Sequence, residues 1–332
     1  MRIRREIENF KPYILDEPKG VIFLNKNENP FDLPEELKSK LLDSMRKIPF
    51  NRYPDIVANP LREKLAEFLG LGVERIVVGN GSDDLIPYFI KIFEGDKVVI
   101  SSPTFKMYEF FARLEGAEVL DIPLDEDFEI VDLEKHVDNV RVVFICSPNN
   151  PTGNLQRREK ILKVLETGVP VVIDEAYHEF ASENYLDLLD DFDNLIILRT
   201  FSKAFGLAGI RIGYAVANEE IISTILKIRP PFAMSSLSMK IGELMMDNYE
   251  IVKERVRFII EERERIRNIF SDITYPSETN FLLMDVPAYD FLLERGIVVR
   301  KMDGRLSGKI RVTVGRREEN DAFISALKDF LG

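Results

Sequence analysis

The chain has 332 residues, with 45 Lys and Arg against 57 Asp and Glu, and its formal net charge is −12. This acidic balance argues against a nucleic-acid partner, and no apolar run approaches the roughly 18–20 residues that span a membrane. One cysteine and two histidines exclude an internal disulfide and a typical zinc site, and the charged N-terminus lacks a secretory signal, so we expect a cytoplasmic, metal-free protein that handles small molecules.

Residues 1–58 are irregular and rich in Pro, Asn and aromatic residues, so we expect them to pack against other parts of the chain. The first clear helix is expected to have Asn59 as its N-cap and Pro60 in its first turn, and to stop at Gly70. Short β-rich runs then alternate with helical stretches up to residue 217.

Most of these apolar runs are continuous rather than alternating, which is typical of strands buried on both faces. The pattern predicts a large α/β domain around a seven-stranded, mostly parallel sheet. The predicted strands are 75–79, 97–101, 118–122, 141–146, 169–173, 194–199 and 212–217.

After residue 235 the pattern is that of a smaller α+β domain. A long charged helical stretch at 238–270 leads to three strand candidates, and a helix over 318–331 closes the chain. These strand candidates are 279–285, 296–300 and 309–314. We therefore expect an N-terminal arm (1–30), a large α/β domain (31–240) and a small C-terminal α+β domain (241–332), with a cleft between the two domains.

The composition is also informative about the source. The chain has a single Gln, Gln156, one Cys and no Trp, while 31% of its residues are charged. Depletion of thermolabile side chains together with charge enrichment is typical of thermophile proteins. We therefore expect a thermophilic source.

Ligands of an open α/β sheet bind beyond the carboxyl ends of its strands, so the residues after each strand carry the chemistry. The strand at 75–79 is followed by a glycine-rich turn whose amides at Gly81, Ser82 and Asp83 could hold an anion. Later strands are followed by SPNNPTG, by DEAY and by SKAFGLAGIR, which add an amide, a carboxylate with a phenol, and a lysine with an arginine. Each signal alone is weak, but the set suits an anionic heteroaromatic cofactor held covalently by an amine.

The order SPNNPTG, DEAY and SKAFGLAGIRIGY resembles that of the fold-type I pyridoxal 5′-phosphate aminotransferases of class I/II, over essentially the whole chain. Three further segments are similar to those of the histidinol-phosphate aminotransferases: LNKNENPFDLP, NRYPD and GIVVRKMDGRLSGKIRVTVGRREEN. The resemblance implies a homodimer with shared active sites that works in histidine biosynthesis. It implies ping-pong transfer of an amino group between L-histidinol phosphate and 2-oxoglutarate, which runs from imidazole-acetol phosphate and L-glutamate in the biosynthetic direction.

The same resemblance implies which residues hold pyridoxal 5′-phosphate. Lys203 is implied as the amine that binds the cofactor covalently and moves the substrate proton, and Asp174 as the carboxylate that pairs with the pyridinium nitrogen. Asn150 and Tyr177 are implied as hydrogen-bond partners of the cofactor's phenolic oxygen. The implied phosphate ligands are Gly81, Ser82, Asp83, Thr200, Ser202 and Arg211.

Aromatic residues complete the implied cofactor site. Phe105, in SPTFKMY, is implied as the residue that stacks on the pyridine ring, with Tyr108 as the alternative. Tyr53, in NRYPD, is similar to a residue that reaches the cofactor phosphate of the neighbouring subunit.

Substrate recognition is assigned by the resemblance to two arginines. Arg311, in KIRVTVG, matches the arginine that takes the substrate's carboxylate, and it would serve a phosphate in one half-reaction and glutamate's α-carboxylate in the other. A planar guanidinium accepts either anion bidentately. Arg300 is the second cationic contact. The other substrate-binding residues expected are Tyr13, which closes over the substrate, Asn25 or Asn27, and Asn150.

Two enzymes of the same fold remain as alternatives. Threonine-phosphate decarboxylases share the scaffold and nearly all of these motifs, but they release CO2 from phosphothreonine. A broader aromatic aminotransferase would prefer phenylalanine, because imidazole and phenyl side chains fit similar pockets. A non-catalytic regulator of this fold would carry an added basic winged-helix domain, and the acidic sequence contains no such segment.

Overall fold

The computed structural model describes residue 10 and residues 21–332. Its strands are β1 (Ile22–Leu24), β2 (Ile76–Gly79), β3 (Lys97–Ile100), β4 (Glu118–Asp121), β5 (Val140–Cys146), β6 (Val171–Asp174), β7 (Leu195–Thr200), β8 (Gly213–Val216), β9 (Phe281–Met284), β10 (Ile297–Lys301) and β11 (Ile310–Thr313).

The α-helices of the same residues are α1 (Glu35–Met45), α2 (Asn59–Leu69), α3 (Ile86–Lys91), α4 (Met107–Leu114), α5 (Arg158–Leu165), α6 (Glu219–Ile228), α7 (Ser236–Asp247), α8 (Tyr249–Ile269), α9 (Tyr289–Glu294) and α10 (Arg317–Leu331). Within the described ranges, none of the helices is both long and apolar enough to cross a membrane.

The larger sheet has seven strands in the order β2-β8-β7-β6-β5-β3-β4, and β8 runs antiparallel to both of its neighbours. All seven predicted strands are present, so the mostly parallel α/β sheet is confirmed. Successive residues of one strand enter different apolar cores: Val172 and Ile196 pack on one face, Ile173 and Ile197 on the other. Both faces are therefore covered, which explains why these runs are continuously apolar.

The smaller sheet has four strands in the order β1-β10-β11-β9. Strands β9, β10 and β11 are the three predicted C-terminal strands, and they pair antiparallel. Strand β1 was not predicted, because it is only three residues long. It pairs parallel with β10, and Ile22 lies opposite Ile297. The chain segment that follows β1 therefore begins at the edge of the C-terminal sheet.

Two expectations about helices are wrong. The N-cap of α2 is Ala58, with φ 61°, rather than Asn59. Asp55 supplies the cap instead, because its Oδ1 accepts from the backbone N–H of Asn59 at 2.9 Å. The stretch 238–270 forms two helices, α7 and α8, because Asn248 leaves the helical conformation (φ −121°, ψ 36°) between them.

Candidate active site

A cavity of about 330 Å³ lies at the carboxyl ends of β5, β6 and β7 and is lined by residues of both sheets. This is the edge of the sheet at which α/β folds bind their ligands. The sequence-predicted residues that line it are Asn25, Asn27, Ser82, Asp83, Phe105, Asn150, Asp174, Tyr177, Thr200, Ser202, Lys203, Arg211, Arg300 and Arg311.

The amine of Lys203 faces this cavity. Its Nζ donates a long hydrogen bond of 3.4 Å to the carbonyl oxygen of Lys26. Burial, followed by the charge of Arg311, lowers the pKa of Lys203 to about 8. The backbone around it is held by Asn29, whose Nδ2 donates to the carbonyl oxygens of Lys203 at 3.2 Å and Ala204 at 2.9 Å. The result is a held amine that loses its proton more readily than an ordinary lysine, as a nucleophile requires.

The carboxyl group of Asp174, at the end of β6, is buried beside the cavity. Burial raises the pKa of Asp174 to about 6, and two hydrogen bonds limit the rise because they favour the ionised form. The hydroxyl of Tyr108 donates to Oδ2 at 2.5 Å, and the backbone N–H of Ala176 donates to Oδ1 at 3.1 Å. Asp174 is therefore mostly ionised at pH 7 and is oriented by both partners.

The structure separates the two aromatic candidates for ring stacking. Phe105 lines the cavity, whereas the Tyr108 ring is fully buried and stacks on Phe144 with centroids 4.8 Å apart. Tyr108 thus lies behind Asp174. The sequence suggested Tyr108 only as a stacking residue, and its contact with Asp174 has no local sequence signal.

The glycine-rich turn after β2 forms a tight cradle. Gly81 has φ 88°, and a β-carbon there would lie 2.2 Å from Arg211 Nη2. A β-carbon on Gly213 would lie 2.1 Å from the backbone nitrogen of Ser82, so both positions require glycine. Arg211 Nη2 also contacts Asp83 Oδ2 at 3.0 Å. Backbone amides and a guanidinium at one end of the cavity are groups that can hold an anion.

One wall of the cavity is formed by residues 25–28 of the asparagine-rich segment 25–29. The carbonyl oxygen of Asn25 accepts from Arg311 Nη2 at 3.0 Å, and Asn27 Nδ2 donates to the Tyr177 hydroxyl at 2.9 Å. Sequence reasoning assigned Asn25 or Asn27 to the substrate wall and missed Asn29. The repeated asparagines in LNKNENP were the signal that could have indicated a hydrogen-bonding role for the whole segment.

Two arginines face the cavity from the smaller sheet. Arg300 on β10 lies directly opposite Arg311 on β11. Arg311 Nη1 also donates to Asn150 Oδ1 at 2.6 Å, which links the arginine pair to the predicted cofactor residues. Like charges directly opposite each other repel, so an anion between them would be stabilised.

Several lining residues carried no sequence prediction. Lys106 Nζ and Asp303 Oδ2, both in the cavity lining, form an ion pair of 2.8 Å. Lys106 follows β3 of the larger sheet, and Asp303 follows β10 of the smaller sheet. The other unpredicted lining residues are Lys26, Glu28, Thr104, Met107, Cys146, Pro151, Ala176, Ala208, Lys301 and Met302.

Three predicted residues are not among the lining residues, and the first of them is Gly81, which lies directly before the lining residue Ser82. The Tyr53 side chain is 82% exposed and stacks on Phe232 with centroids 4.6 Å apart, away from the cavity of its own chain. Tyr13 lies outside the described residues.

Comparison with known proteins identifies relatives of the whole chain. Residues 19–327 match the model of the family described as aminotransferase class I and II. The chain is 54% identical to a histidinol-phosphate aminotransferase of Pyrococcus furiosus, over 99% of this chain and 98% of that protein. It is 51% identical to a histidinol-phosphate aminotransferase of Thermococcus kodakarensis, again over 99% of this chain and 98% of that protein.

Solved structures agree with these sequence matches. The histidinol-phosphate aminotransferase from Sinorhizobium meliloti in complex with pyridoxal-5′-phosphate superposes with a TM-score of 0.87 at 26% identity, covering 99% of this chain and 97% of that chain. The L-threonine-O-3-phosphate decarboxylase from Porphyromonas gingivalis superposes with a TM-score of 0.82 at 25% identity, covering 94% and 99%. The fold is therefore shared by enzymes with different reactions.

Proposed function

Because the chain belongs to the class I and II aminotransferases, we propose that it is a pyridoxal-phosphate-dependent enzyme of histidine biosynthesis that uses histidinol phosphate. In the biosynthetic direction, imidazole-acetol phosphate takes the amino group of L-glutamate, and L-histidinol phosphate and 2-oxoglutarate are formed. Relatives at 49–54% identity over nearly the whole chain carry the name histidinol-phosphate aminotransferase. The observation that carries the proposal is the opposed pair Arg300 and Arg311 in the same cavity as Lys203.

The donor set fits the cofactor, and we assign its residues on that basis. When bound, pyridoxal 5′-phosphate supplies a protonated pyridine ring that withdraws electrons from the substrate's Cα. Asp174, mostly ionised at pH 7, would hold the ring proton, and Lys203 would bind the cofactor and carry the Cα proton. The cradle of Gly81, Ser82 and Asp83, with Thr200, Ser202 and Arg211, would hold the phosphate. Asn150 and Tyr177 would contact the phenolic oxygen, and Phe105 would cover the ring.

The arginine pair would bind the substrates' anions. Arg311 would take glutamate's α-carboxylate or the phosphate of the second substrate, since a guanidinium accepts either bidentately. Arg300, opposite it, would supply the second positive charge that a phosphate needs. Asn150 would link substrate binding to cofactor binding. Its Oδ1 accepts from Arg311, and the residue also borders the cofactor site.

We also propose a homodimer with shared active sites. Tyr53 and Phe232 form an exposed stacked pair, and Phe50 and Ile56 nearby in sequence are 73% and 56% exposed. A contiguous patch of exposed apolar side chains is typical of an interface, and the stacked pair supplies the start of one. In the dimer Tyr53 would reach the partner's cofactor phosphate. The division into an arm (1–30), a large domain (31–240) and a small domain (241–332) stays a proposal, and the cytoplasmic location stays a prediction.

The thermophilic source expected from the composition agrees with the relatives, which come from Pyrococcus and Thermococcus species. The decarboxylase alternative is not favoured, because the relatives at 49–54% identity carry aminotransferase names, whereas the decarboxylase match is 25% identical.

An absorbance titration of the purified enzyme tests the function. The band of the bound cofactor should be converted to that of its amine form by glutamate and, separately, by histidinol phosphate. Conversion by glutamate or phenylalanine but not by histidinol phosphate would reject the substrate assignment. Release of CO2 from phosphothreonine would favour the decarboxylase. A Lys203→Ala variant serves as the control, because it should give no conversion with either substrate.

A further inference from the structure

A buried chain of hydrogen bonds joins the smaller sheet to the hydroxyl of Tyr177. The backbone N–H of Asn27 donates to Thr313 Oγ1 at 2.9 Å, and Thr313 Oγ1 donates to Asn27 Oδ1 at 3.3 Å. Asn27 Nδ2 then donates to the Tyr177 oxygen at 2.9 Å. All three residues are at most 3% exposed, so water does not compete for these bonds.

The direction of each bond follows from the number of protons available. A threonine hydroxyl has a single proton, and Thr313 Oγ1 donates it to the Asn27 side-chain oxygen while it accepts from the Asn27 backbone. The amide nitrogen of Asn27 must then face Tyr177. The phenol oxygen accepts that bond, so its own proton points elsewhere. Tyr177 lines the cavity, and within residues 21–332 its hydroxyl has no acceptor, so the proton is directed into the cavity.

The backbone of Asn27 is held in place as well as the orientation of its side-chain amide. Its backbone adopts the left-handed conformation, with φ 54°, which asparagine tolerates better than most residues. Asn280 Nδ2 donates to its carbonyl oxygen at 3.0 Å. The backbone of Asn27 is therefore held on both its N–H and its C=O, which places the side-chain amide between Thr313 and Tyr177.

We propose that Asn27 is a positioning residue that fixes Tyr177 as a hydrogen-bond donor toward the phenolic oxygen of the cofactor. The proposal rests on the proposed function, since it requires a cofactor bound against Tyr177. A donor held in place before the ligand arrives stabilises negative charge on the oxygen that it faces, and no reorganisation is needed. Without Asn27, the hydroxyl could rotate and accept instead of donate.

Two substitutions test this network in the cofactor-loaded enzyme. Asn27→Gly removes the amide and keeps the backbone, because glycine adopts a positive φ without strain. Asn27→Asp replaces the donating NH2 with a carboxylate oxygen, which accepts the Tyr177 proton and turns it away from the cavity. The readout is the pH midpoint at which the absorption band of the bound cofactor titrates in the absence of substrate.

We expect the midpoint to rise by about one pH unit in N27D and by less in N27G, because losing a fixed donor destabilises the ionised phenolic oxygen. Tyr177→Phe should raise the midpoint in the same direction. In the Tyr177→Phe background, the uncharged Asn27→Gly should not move it further, since no hydroxyl is left to orient.

An Asn27→Gly shift that persists at full size in the Tyr177→Phe background overturns the proposal, because the substitution would then act without the hydroxyl. An unchanged midpoint in the Asn27 variants or in Tyr177→Phe overturns it as well. If N27G does not fold by circular dichroism, Thr313→Val carries the test, since it removes the group that orients the amide and should give a smaller rise. A wild-type enzyme that binds the cofactor but ignores histidinol phosphate would reject the proposed substrate and leave this titration readable.

Discussion

Arg300 and Arg311 lie directly opposite each other on the antiparallel strands β10 and β11, and both line the cavity that contains Lys203. Two guanidinium groups in this register repel each other unless an anion lies between them. We therefore expect this pair to favour an anion that carries two negative charges, such as a phosphate, over a single carboxylate.

Replacing Arg300 with Gln should weaken the binding of the phosphate substrate more than the binding of glutamate. We expect KM for histidinol phosphate to rise about 10–100-fold, with a smaller change for glutamate, because Arg311 alone can serve one carboxylate. Calorimetry with inorganic phosphate on the cofactor-loaded enzyme, whose own phosphate site is filled, measures the anion site directly. Arg295→Gln is the matched control, because Arg295 is not among the cavity's lining residues. Its guanidinium carbon instead lies 3.4 Å from the centroid of the Phe291 ring. Equal phosphate affinity in R300Q and wild type would contradict the assignment.

Replacing Tyr108 with Phe should raise the pKa of Asp174 above its present value of about 6, because the 2.5 Å hydrogen bond that favours the ionised carboxylate is lost. The acid limb of the kcat/KM profile should move to higher pH by about one unit, and activity at pH 7 should fall by about twofold because the ionised fraction of Asp174 falls to about half. The control is Phe144→Leu, which disturbs the ring stacking under Tyr108 and keeps the hydroxyl. If Y108F leaves the acid limb where it is in wild type, the hydrogen bond does not tune Asp174.

Glu179 should make the apoprotein less stable at alkaline pH. Burial raises the pKa of Glu179 to about 8, and within the described residues its Oε2 accepts no hydrogen bond. A folded-state pKa above the unfolded value means that the stability is fully present below the ordinary glutamate pKa of 4.5 and is lost progressively as the pH rises from there through about 8. Glu179→Gln should therefore raise the free energy of unfolding on the order of 2 kcal/mol at pH 9 and change it little at pH 4.

Guanidinium unfolding of the apoprotein at the two pH values measures this difference. The exposed Glu126→Gln is the control for removing one negative charge. Parallel stability curves for wild type and E179Q would show that Glu179 is not the group responsible.

Mixing two inactive variants should restore activity if the active site is shared between subunits. Lys203→Ala lacks the amine in its own site, and Tyr53→Ala lacks the group that we assign to the partner's site. A heterodimer of the two has one site with both residues intact, so an equimolar, statistically exchanged mixture should recover roughly a quarter of wild-type activity. Mixing Lys203→Ala with Asp174→Ala is the control, because both residues belong to the same site: a heterodimer of these two has no intact site. Recovery in neither mixture would show that Tyr53 does not serve the partner's active site.

The sequence by itself determined the elements whose patterns are local. Continuous apolar runs predicted all seven strands of the larger sheet and the three C-terminal strands, and the residues after those strands included Asp174, Lys203 and Arg211. These predictions succeed because burial on both faces of a sheet dictates side-chain type residue by residue, and because parallel strands bring their carboxyl ends to one edge.

Only the tertiary structure decided which residues support Asp174, Lys203 and Arg211. Strand β1 is too short to carry a pattern, and it is defined by pairing with β10. Tyr108 reaches Asp174 across 66 positions of the chain, and Asn27 reaches Thr313 across 286. The opposition of Arg300 to Arg311 depends on register, and the lowered pKa of Lys203 depends on burial and on charges brought from distant segments. Such contacts leave no periodic trace in the sequence, because they are set by how complete elements pack and not by the propensities of the residues that make them.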